Sequence, residues 1–309
     1  MTDKRITETG HGLGNTHAGK TMEIRKAVEE RKKAEAASYP DSSKNNGKVH
    51  SAFVEECLKA NELGDGLLYT SICKGRFVFN VSSREWYEWA EHFWRRDVHE
   101  QALAAVEDVV ARLLEETTEI SKRIDMAVKE DDKGQRRILE DKREFIYKRI
   151  SRLRTDRGRT ACLKFARSCR DPLTIEGTRF DMEPWLLACA NGVIDLETGK
   201  FRPGRQTDYL SMASPIEWKG LHEPAKEWED FLSTVFAGDE DLVSYIYRLL
   251  GYALTGLTTE HIMPVFYGKG RNGKGTLVDT LIHVLGSMAG SIQAEMLLSE
   301  SVSYTHLRA

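Results

Sequence analysis

One glycine-rich stretch constrains the fold of this chain more than any other: Gly268-Lys269-Gly270-Arg271-Asn272-Gly273-Lys274-Gly275-Thr276. An apolar run at residues 262–267 precedes it and predicts a strand, and the amphipathic pattern of residues 276–285 predicts a helix. The spacing of Gly268, Gly273 and Lys274 fits the phosphate-binding P-loop. The sequence therefore predicts a strand–loop–helix unit built around a phosphate group.

The residue types in this stretch suit a phosphate ligand. Glycines allow a tight turn that directs backbone N–H groups towards phosphate oxygens, and the start of the helix adds unpaired donors. Lys274 is the candidate catalytic residue, because its side chain would reach the β- and γ-phosphates. Gly275 stands where a Ser or Thr usually ligates Mg²⁺, so Thr276 is the candidate metal ligand. A glycine-rich turn without a ligand is the alternative.

Composition limits the class of protein. The chain has 309 residues, enough for about two domains, with 40% hydrophobic and 30% charged residues, which fits a soluble, partly helical protein. A net charge of −3 argues neither for nor against nucleic acid. The sequence has no apolar run of membrane-spanning length and no secretory signal, so we expect a cytoplasmic protein without membrane contact. Five cysteines without a C-x-x-C pair argue against zinc and disulfides.

The first part of the chain predicts a tail followed by mixed structure. Residues 1–48 are polar and bury too little surface to offset their ordering entropy, so we expect a disordered tail, or alternatively the end of an upstream module. Residues 52–63 predict a helix. Gly64-Asp65-Gly66 predicts a turn, and strands are predicted at residues 67–72 and 76–81.

Residues 98–154 predict a helical hairpin, because apolar side chains recur in steps of three and four on both sides of a polar break at residues 131–134. The predicted seam consists of Leu103, Val106, Val110, Leu113, Thr117, Ile120, Ile124, Leu139, Ile146, Ile150 and Leu153. The exit from the second helix is basic. Arg152, Arg154, Arg157 and Arg159 are the candidate contacts to DNA phosphates, and a solvated helix face balanced by carboxylates is the favoured alternative.

Aromatic and turn residues mark the remaining segments. Three tryptophans at residues 86–94 are interpreted as a small core, with base stacking as the alternative. Turn signals around residues 191–199 predict a small β element, in which Asn191 and Asp195 are interpreted as structural. Helices are predicted again from Trp228, with Asp239 as a cap and Gly256 as a terminator.

Several of these stretches together resemble the primase-helicases of phages, plasmids and poxviruses. In that family a helical middle domain precedes a superfamily 3 helicase of the AAA+ class. The motifs at residues 191–199 and 251–256, which occur in this order before the P-loop, are more specific for this family than the P-loop alone. The resemblance covers about residues 55–300 and is carried by residues 86–94, 184–187, 191–199, 228–236, 251–256 and 272–274.

The resemblance implies an ATP-driven 3′-to-5′ DNA helicase that assembles as a ring, usually a hexamer, at a replication fork. It implies a mixed α/β, mostly helical chain, with the middle domain at residues 49–215 and the start of the AAA+ domain at residues 216–300. ATP and Mg²⁺ would be the cofactors, and DNA and identical subunits the partners. Lys274 would stabilise charge as the β–γ bond breaks. By position, the phosphate contacts would be Gly268, Gly270, Asn272, Gly273, Lys274, Gly275 and Thr276.

An AAA+ motor also needs a strand ending in acidic residues, a polar sensor and an arginine from a neighbouring subunit. The sequence after the P-loop offers none of these, so we expect the enzyme to continue beyond about residue 300. Residues 301–309 resemble a translated sequencing-adaptor read-through and are expected to be foreign, with natural truncation as the alternative. The first 50 residues show neither a zinc module nor the paired carboxylates of a priming site.

Two other functions stay open on the residues alone. One is a non-catalytic DNA- or nucleotide-binding regulatory module. The other is a P-loop small-molecule kinase, which the Gly-Lys-Gly-Thr run at residues 273–276 suggests. The long helical region and the phrases at residues 191–199 and 251–256 weigh against the kinase.

Overall fold

The computed structural model describes residues 49–293 of the chain. It confirms a mixed α/β fold, since helices account for about half of these residues and the strands form two small sheets. The predicted tail at residues 1–48 and the predicted foreign segment at residues 301–309 lie outside the described residues. No helix within the described part is long and apolar enough to cross a bilayer.

The helices are α1 (Ser51–Lys59), α2 (Asn61–Cys73), α3 (Gln101–Ala104), α4 (Val106–Lys129), α5 (Lys133–Leu153), α6 (Asp156–Ala166), α7 (Lys226–Val235), α8 (Glu240–Leu254) and α9 (Lys274–Leu285). The strands are β1 (Phe77–Asn80), β2 (Glu85–Trp89), β3 (Trp94–Arg96), β4 (Thr174–Ile175), β5 (Leu186–Cys189), β6 (Gly192–Asp195) and β7 (Phe201–Arg202). Short 3₁₀ turns lie at Gly177–Arg179, Gln206–Asp208 and Gly286–Met288.

The chain folds into two compact units, each assembled from two stretches of sequence. In the described part, the helical unit comprises residues 49–72 and 106–171, and the mixed unit comprises residues 73–105 and 172–293. The helical unit contains α1, nearly all of α2, and α4 to α6. The mixed unit contains both sheets, α3, and α7 to α9. The chain therefore enters the mixed unit, returns to the helical unit and then leaves it again.

The predicted hairpin forms the centre of the helical unit. Its seam residues from Val106 to Leu153 are all buried between α4 and α5. Asp131 makes the turn with a positive φ of 54°, and Asp132 caps α5 by accepting the N–H of Gln135 at 2.9 Å. The hairpin itself begins at Val106, because Leu103 lies in the separate short helix α3.

The predicted turn at residues 64–66 and the predicted strand at residues 67–72 are wrong, because both segments lie inside α2. The glycines permit close packing: a Cβ on Gly64 would lie 1.7 Å from the carbonyl oxygen of Cys57, and one on Gly66 would lie 2.5 Å from Cβ of Phe165. Leu67, Leu68 and Tyr69 are all buried. A helix that is buried on every side shows the same continuous apolar run as a buried strand.

The first sheet of the mixed unit has the strand order β3-β2-β1-β4, with β1 antiparallel to β2 and parallel to β4. The predicted strand at residues 76–81 is confirmed as β1. Trp94 is 4% exposed, and its ring meets that of Trp89 edge-on at 5.2 Å between centroids. Its indole N–H donates to the carbonyl oxygen of Gln206 at 3.0 Å. Trp94 is therefore a core residue, as the favoured interpretation predicts.

The second sheet, β5-β6-β7, is antiparallel and confirms the predicted small β element. Asn191 holds the backbone of Trp218 through two hydrogen bonds of 2.9 Å, one donated and one accepted. Asp195 accepts the backbone N–H groups of Glu197 and Thr198, each at 3.0 Å. Both polar residues therefore have the structural roles predicted for them.

The last three helices share a small core in which Leu232 of α7, Ile246 of α8 and Leu277 of α9 are buried together. Asp239 caps α8 as predicted, accepting the N–H of Leu242 at 3.0 Å. The predicted strand at residues 262–267 is wrong, because this segment has no regular structure. A strand needs a neighbour to pair its backbone groups. Within residues 49–293 the two sheets are built from β1 to β7, and none of these strands pairs with this segment.

Candidate nucleotide-binding site

The glycine-rich loop leads directly into α9, whose first residue is Lys274. Gly268 and Gly273 have positive φ angles of 151° and 82°, which L side chains rarely adopt. A Cβ on Gly273 would also lie 2.5 Å from Cγ2 of Val235. Glycine is therefore required at both positions for a conformational reason, and at Gly273 also for a steric one.

The Lys274 side chain folds back over its own loop. Its ammonium group donates to Oδ1 of Asn272 at 2.7 Å and to the carbonyl oxygen of Gly268 at 3.2 Å. Both acceptors are neutral. Phosphate oxygens are anionic and form stronger, charge-assisted hydrogen bonds with an ammonium group. The loop thus holds its cation where a phosphate would be the better partner.

The start of α9 supplies backbone donors beside this lysine. The first intrahelical bond joins the N–H of Leu277 to the carbonyl oxygen of Gly273 at 3.0 Å. The N–H groups of Lys274, Gly275 and Thr276 therefore precede the hydrogen-bonded ladder of the helix. They lie at the positive end of the helix dipole, which favours an anion.

A cavity of about 400 Å³ opens beside the loop. Asn272, Gly273 and Lys274 form its polar part, and apolar or aromatic side chains form the rest, among them Phe236, Tyr245, Leu249 and Phe266. Ligand pockets commonly have volumes of roughly 300–1,000 Å³ with a few polar groups in an apolar lining. The cavity therefore has the size and the polarity of a small-molecule site, with the loop at one edge.

The predicted phosphate contacts divide into two groups. Gly268, Asn272, Gly273 and Lys274 are brought together by the contacts described above. A Cβ on Gly270 or Gly275 would meet no atom within 4 Å, and Thr276 is exposed on the first turn of α9. The residues that meet around the ammonium group are thus a subset of those predicted.

The fit to a metal differs from the fit to a phosphate. Mg²⁺ in nucleotide sites is usually held by one or two carboxylates together with phosphate oxygens and water. Residues 49–293 contain no group of three or more His, Cys, Asp or Glu side chains that could hold a metal ion. Thr276 is exposed, so its hydroxyl is the one side-chain oxygen that the predicted set of metal ligands offers to a metal.

The predicted DNA contacts around α6 are mostly engaged within the helical unit. Arg152 Nη2 lies 2.6 Å from Oδ2 of Asp65. Arg154 Nε donates to Glu107 at 3.0 Å, and Arg159 reaches the other oxygen of Glu107 at 3.4 Å. Arg157 is exposed and forms no ion pair with any residue of the described ranges. Three of the four arginines therefore have a structural partner.

Sequence reasoning missed the buried charges that stabilise this unit. Asp65 and Arg149 are 3% and 5% exposed, with Arg149 Nη1 3.4 Å from Asp65 Oδ2. Arg149 also donates to the carbonyl oxygen of Leu58 at 2.9 Å. Burial raises the pKa of Asp65 and lowers that of Arg149, while each charge opposes the shift of the other. One feature of the sequence could have indicated this cluster: Arg149 and Arg152 are three residues apart, which puts both on one face of the helix.

Comparison with known proteins assigns the chain to a family. Residues 67–237 match the family model described as D5 N terminal like, which covers more than half of the 309 residues. The chain therefore belongs to this family. This is the phage and poxvirus primase-helicase family that its sequence motifs resemble.

The chain is also similar to two viral proteins, both named "Putative helicase". One, from Acanthamoeba polyphaga mimivirus, is 25% identical over 239 residues, which is 74% of this chain and 24% of that protein. The other, from Invertebrate iridescent virus 3, is 35% identical over 109 residues, which is 33% of this chain and 12% of that protein. The chain thus spans a quarter or less of the relatives it matches.

Proposed function

We propose that the chain is part of an ATP-dependent superfamily 3 DNA helicase that acts in replication, and that residues 268–276 bind the triphosphate of ATP. The observation that carries the proposal is the position of Lys274. Its ammonium group is held over a glycine loop, at the start of a helix and at the edge of a 400 Å³ cavity. Membership of the D5 N-terminal-like family supports the helicase context.

Each part of the loop has a separate task in this proposal. Lys274 exchanges its two neutral oxygen partners for phosphate oxygens and stabilises the charge that develops as the β–γ bond breaks. The N–H groups of residues 274–276 donate to the phosphates, and the glycines let the backbone approach them. Bound Mg²⁺ would neutralise phosphate charge, with the Thr276 hydroxyl as the ligand that the loop provides.

The remaining parts of the proposal concern turnover and assembly. Hydrolysis needs acidic side chains that hold the metal and polarise water, and an arginine from a neighbouring subunit. Residues 49–293 contain no group of three or more His, Cys, Asp or Glu side chains that could hold a metal ion. We therefore propose that the 309-residue chain binds ATP and turns it over slowly, and that rapid turnover takes place in a ring of subunits on DNA. ATP turnover at a rate typical of helicases, lost in Lys274→Ala, would contradict slow turnover by this chain.

Nucleotide binding is tested by titrating a fluorescent ATP analogue into the 309-residue chain. We expect Lys274→Ala to weaken binding at least about tenfold, the equivalent of about 1.4 kcal/mol. Lys219→Ala is the charge-matched control, because Lys219 is an exposed lysine of the same unit. Equal affinity of the wild-type and Lys274→Ala chains would refute the site. Phosphate transfer to a nucleoside monophosphate would instead favour the small-molecule kinase.

A further inference from the structure

We infer that Asn272 is a positioning residue that holds Lys274 over the loop before a ligand binds. The inference rests on the proposed nucleotide site and concerns how its lysine is ordered in the free protein. It is carried by three residues whose polar atoms meet in one place. We call the contacts among Gly268, Asn272 and Lys274 the loop clasp.

The first contact of the loop clasp orders the ammonium group. Lys274 Nζ lies 2.7 Å from Oδ1 of Asn272 and 3.2 Å from the carbonyl oxygen of Gly268. An ammonium group has three N–H donors. Within the described part of the chain two donors are therefore engaged, and the third stays available for the first phosphate oxygen that arrives.

The second contact of the loop clasp gives a steric reason for the glycine at residue 268, in addition to its positive φ. A Cβ on Gly268 would lie 2.4 Å from Nδ2 of Asn272 and 3.7 Å from Nζ of Lys274. The carboxamide of Asn272 therefore fills the space that a side chain at residue 268 would need. A methyl group there would displace the carboxamide and, with it, the oxygen that holds Lys274.

The amide of an asparagine suits the positioning of Lys274 better than a carboxylate or a methyl group would. A neutral carbonyl oxygen orders a flexible lysine and still yields to an anionic phosphate, which is the stronger acceptor. A carboxylate in the same place would form an ion pair with Lys274 and compete with the phosphate. An alanine at residue 272 would remove the 2.7 Å contact to Lys274 Nζ, and the lysine side chain could then move away from the loop.

The contact itself is tested without a nucleotide, by the rate at which an amine-reactive reagent labels each lysine in the folded 309-residue chain. The ratio of Lys274 to Lys269 labelling, read by mass spectrometry, uses an exposed lysine of the same loop as the internal reference. We expect Asn272→Ala to raise this ratio about threefold or more, and Asn272→Asp to lower it. A purely structural role for Asn272 would move both variants in the same direction.

The consequence for the ligand is tested by titrating tripolyphosphate and the ATP analogue. Asn272→Ala and Asn272→Asp are both expected to weaken binding about three- to tenfold or more. Gly268→Ala should also raise the labelling ratio, because its methyl group would displace the carboxamide of Asn272. Gly238→Ala is the matched control, since Gly238 also has a positive φ and a Cβ there meets no atom within 4 Å.

The outcomes separate this inference from the proposed function. An unchanged labelling ratio in Asn272→Ala overturns the inference, even where Lys274→Ala still abolishes nucleotide binding. If the wild-type chain binds neither probe and Asn272→Ala still raises the labelling ratio, the loop clasp is supported and the nucleotide site is overturned.

Discussion

Asp65 and Arg152 are joined by a 2.6 Å hydrogen bond between Oδ2 and Nη2, from α2 to the last turn of α5. Arg149, one turn earlier in α5, reaches the same oxygen at 3.4 Å. The Asp65 carboxylate is buried, so water cannot replace these partners. Arg152, one of the candidate DNA contacts, thus balances the charge of a carboxylate inside the helical unit.

Loss of Asp65 should destabilise the helical unit strongly. Asp65→Ala leaves Arg149 buried without its carboxylate, and removal of one partner from a buried pair typically costs about 3–5 kcal/mol. Asp125→Ala is the control, because Asp125 is exposed on α4. The free energies of unfolding come from urea titrations followed by circular dichroism. A loss below about 1 kcal/mol for Asp65→Ala would contradict the assigned role.

Among the four candidate DNA contacts, Arg157 is the one that forms no ion pair with any residue of 49–293, so it is the one proposed to contact DNA. We expect Arg157→Ala to weaken binding of single-stranded DNA and to reduce the salt dependence of the affinity by about one phosphate contact. Arg137→Ala serves as the exposed control on the hairpin. Fluorescence anisotropy at several salt concentrations measures both effects. Equal losses in the two variants would show a diffuse charge effect and no contact at α6.

The two glycines Gly66 and Gly134 make a matched test of close packing. A Cβ on Gly66 would lie 2.5 Å from Cβ of Phe165, whereas the atom nearest a Cβ on Gly134 would be 3.5 Å away. Gly66→Ala should destabilise the unit by about 1–3 kcal/mol because α2 would have to move. Gly134→Ala should be neutral or stabilising by up to about 1 kcal/mol. Thermal unfolding measures the stability of both variants. A larger loss of stability in Gly134→Ala than in Gly66→Ala would refute the packing argument.

The turn after β6 should lose stability at acid pH. The hydrogen bond from Thr198 N–H lowers the pKa of Asp195 below its ordinary value of 3.8. The unfolded chain then binds the proton more readily than the folded chain, so the stabilisation is complete above pH 3.8 and declines as the pH falls through the lowered folded-state pKa. A ¹³C NMR titration of the Asp195 carboxyl measures this pKa, and a value at or above 3.8 would contradict the prediction.

The seam of the hairpin and the cap of α8 could be predicted because their causes are local in sequence. The seam depends on residues three and four apart, and the Asp239 cap on an N–H three residues later. The packing of α2 could not be predicted from the sequence. Gly66 must be a glycine because of its contact with Phe165, a residue far away in the chain. An isolated α2 window looks like a turn followed by a strand.

The glycine-rich loop at residues 268–276 also contains features that could be predicted from the sequence and features that could not. Its glycines were predicted to allow a tight turn, and the positive φ angles of Gly268 and Gly273 agree with a turn of that kind. The preceding strand was predicted from an apolar pattern that is present at residues 262–267. A pattern alone does not create a partner for the backbone, and the strands of the described residues pair elsewhere. The contact between Asn272 and Lys274 required the folded loop to become visible.

The parallel pairing of β1 with β4, Phe79 against Thr174, has a consequence for the timing of biosynthesis. A ribosome releases the chain from its N-terminal end, so β1, β2 and β3 emerge first and β4 only after the whole of α4, α5 and α6. The long hairpin can collapse on nearby residues while the β1 edge still waits for its distant partner. For that interval a nascent chain carries an open strand edge, the feature that invites unwanted association. The interval ends only when Thr174 and Ile175 have left the ribosome and can pair with β1.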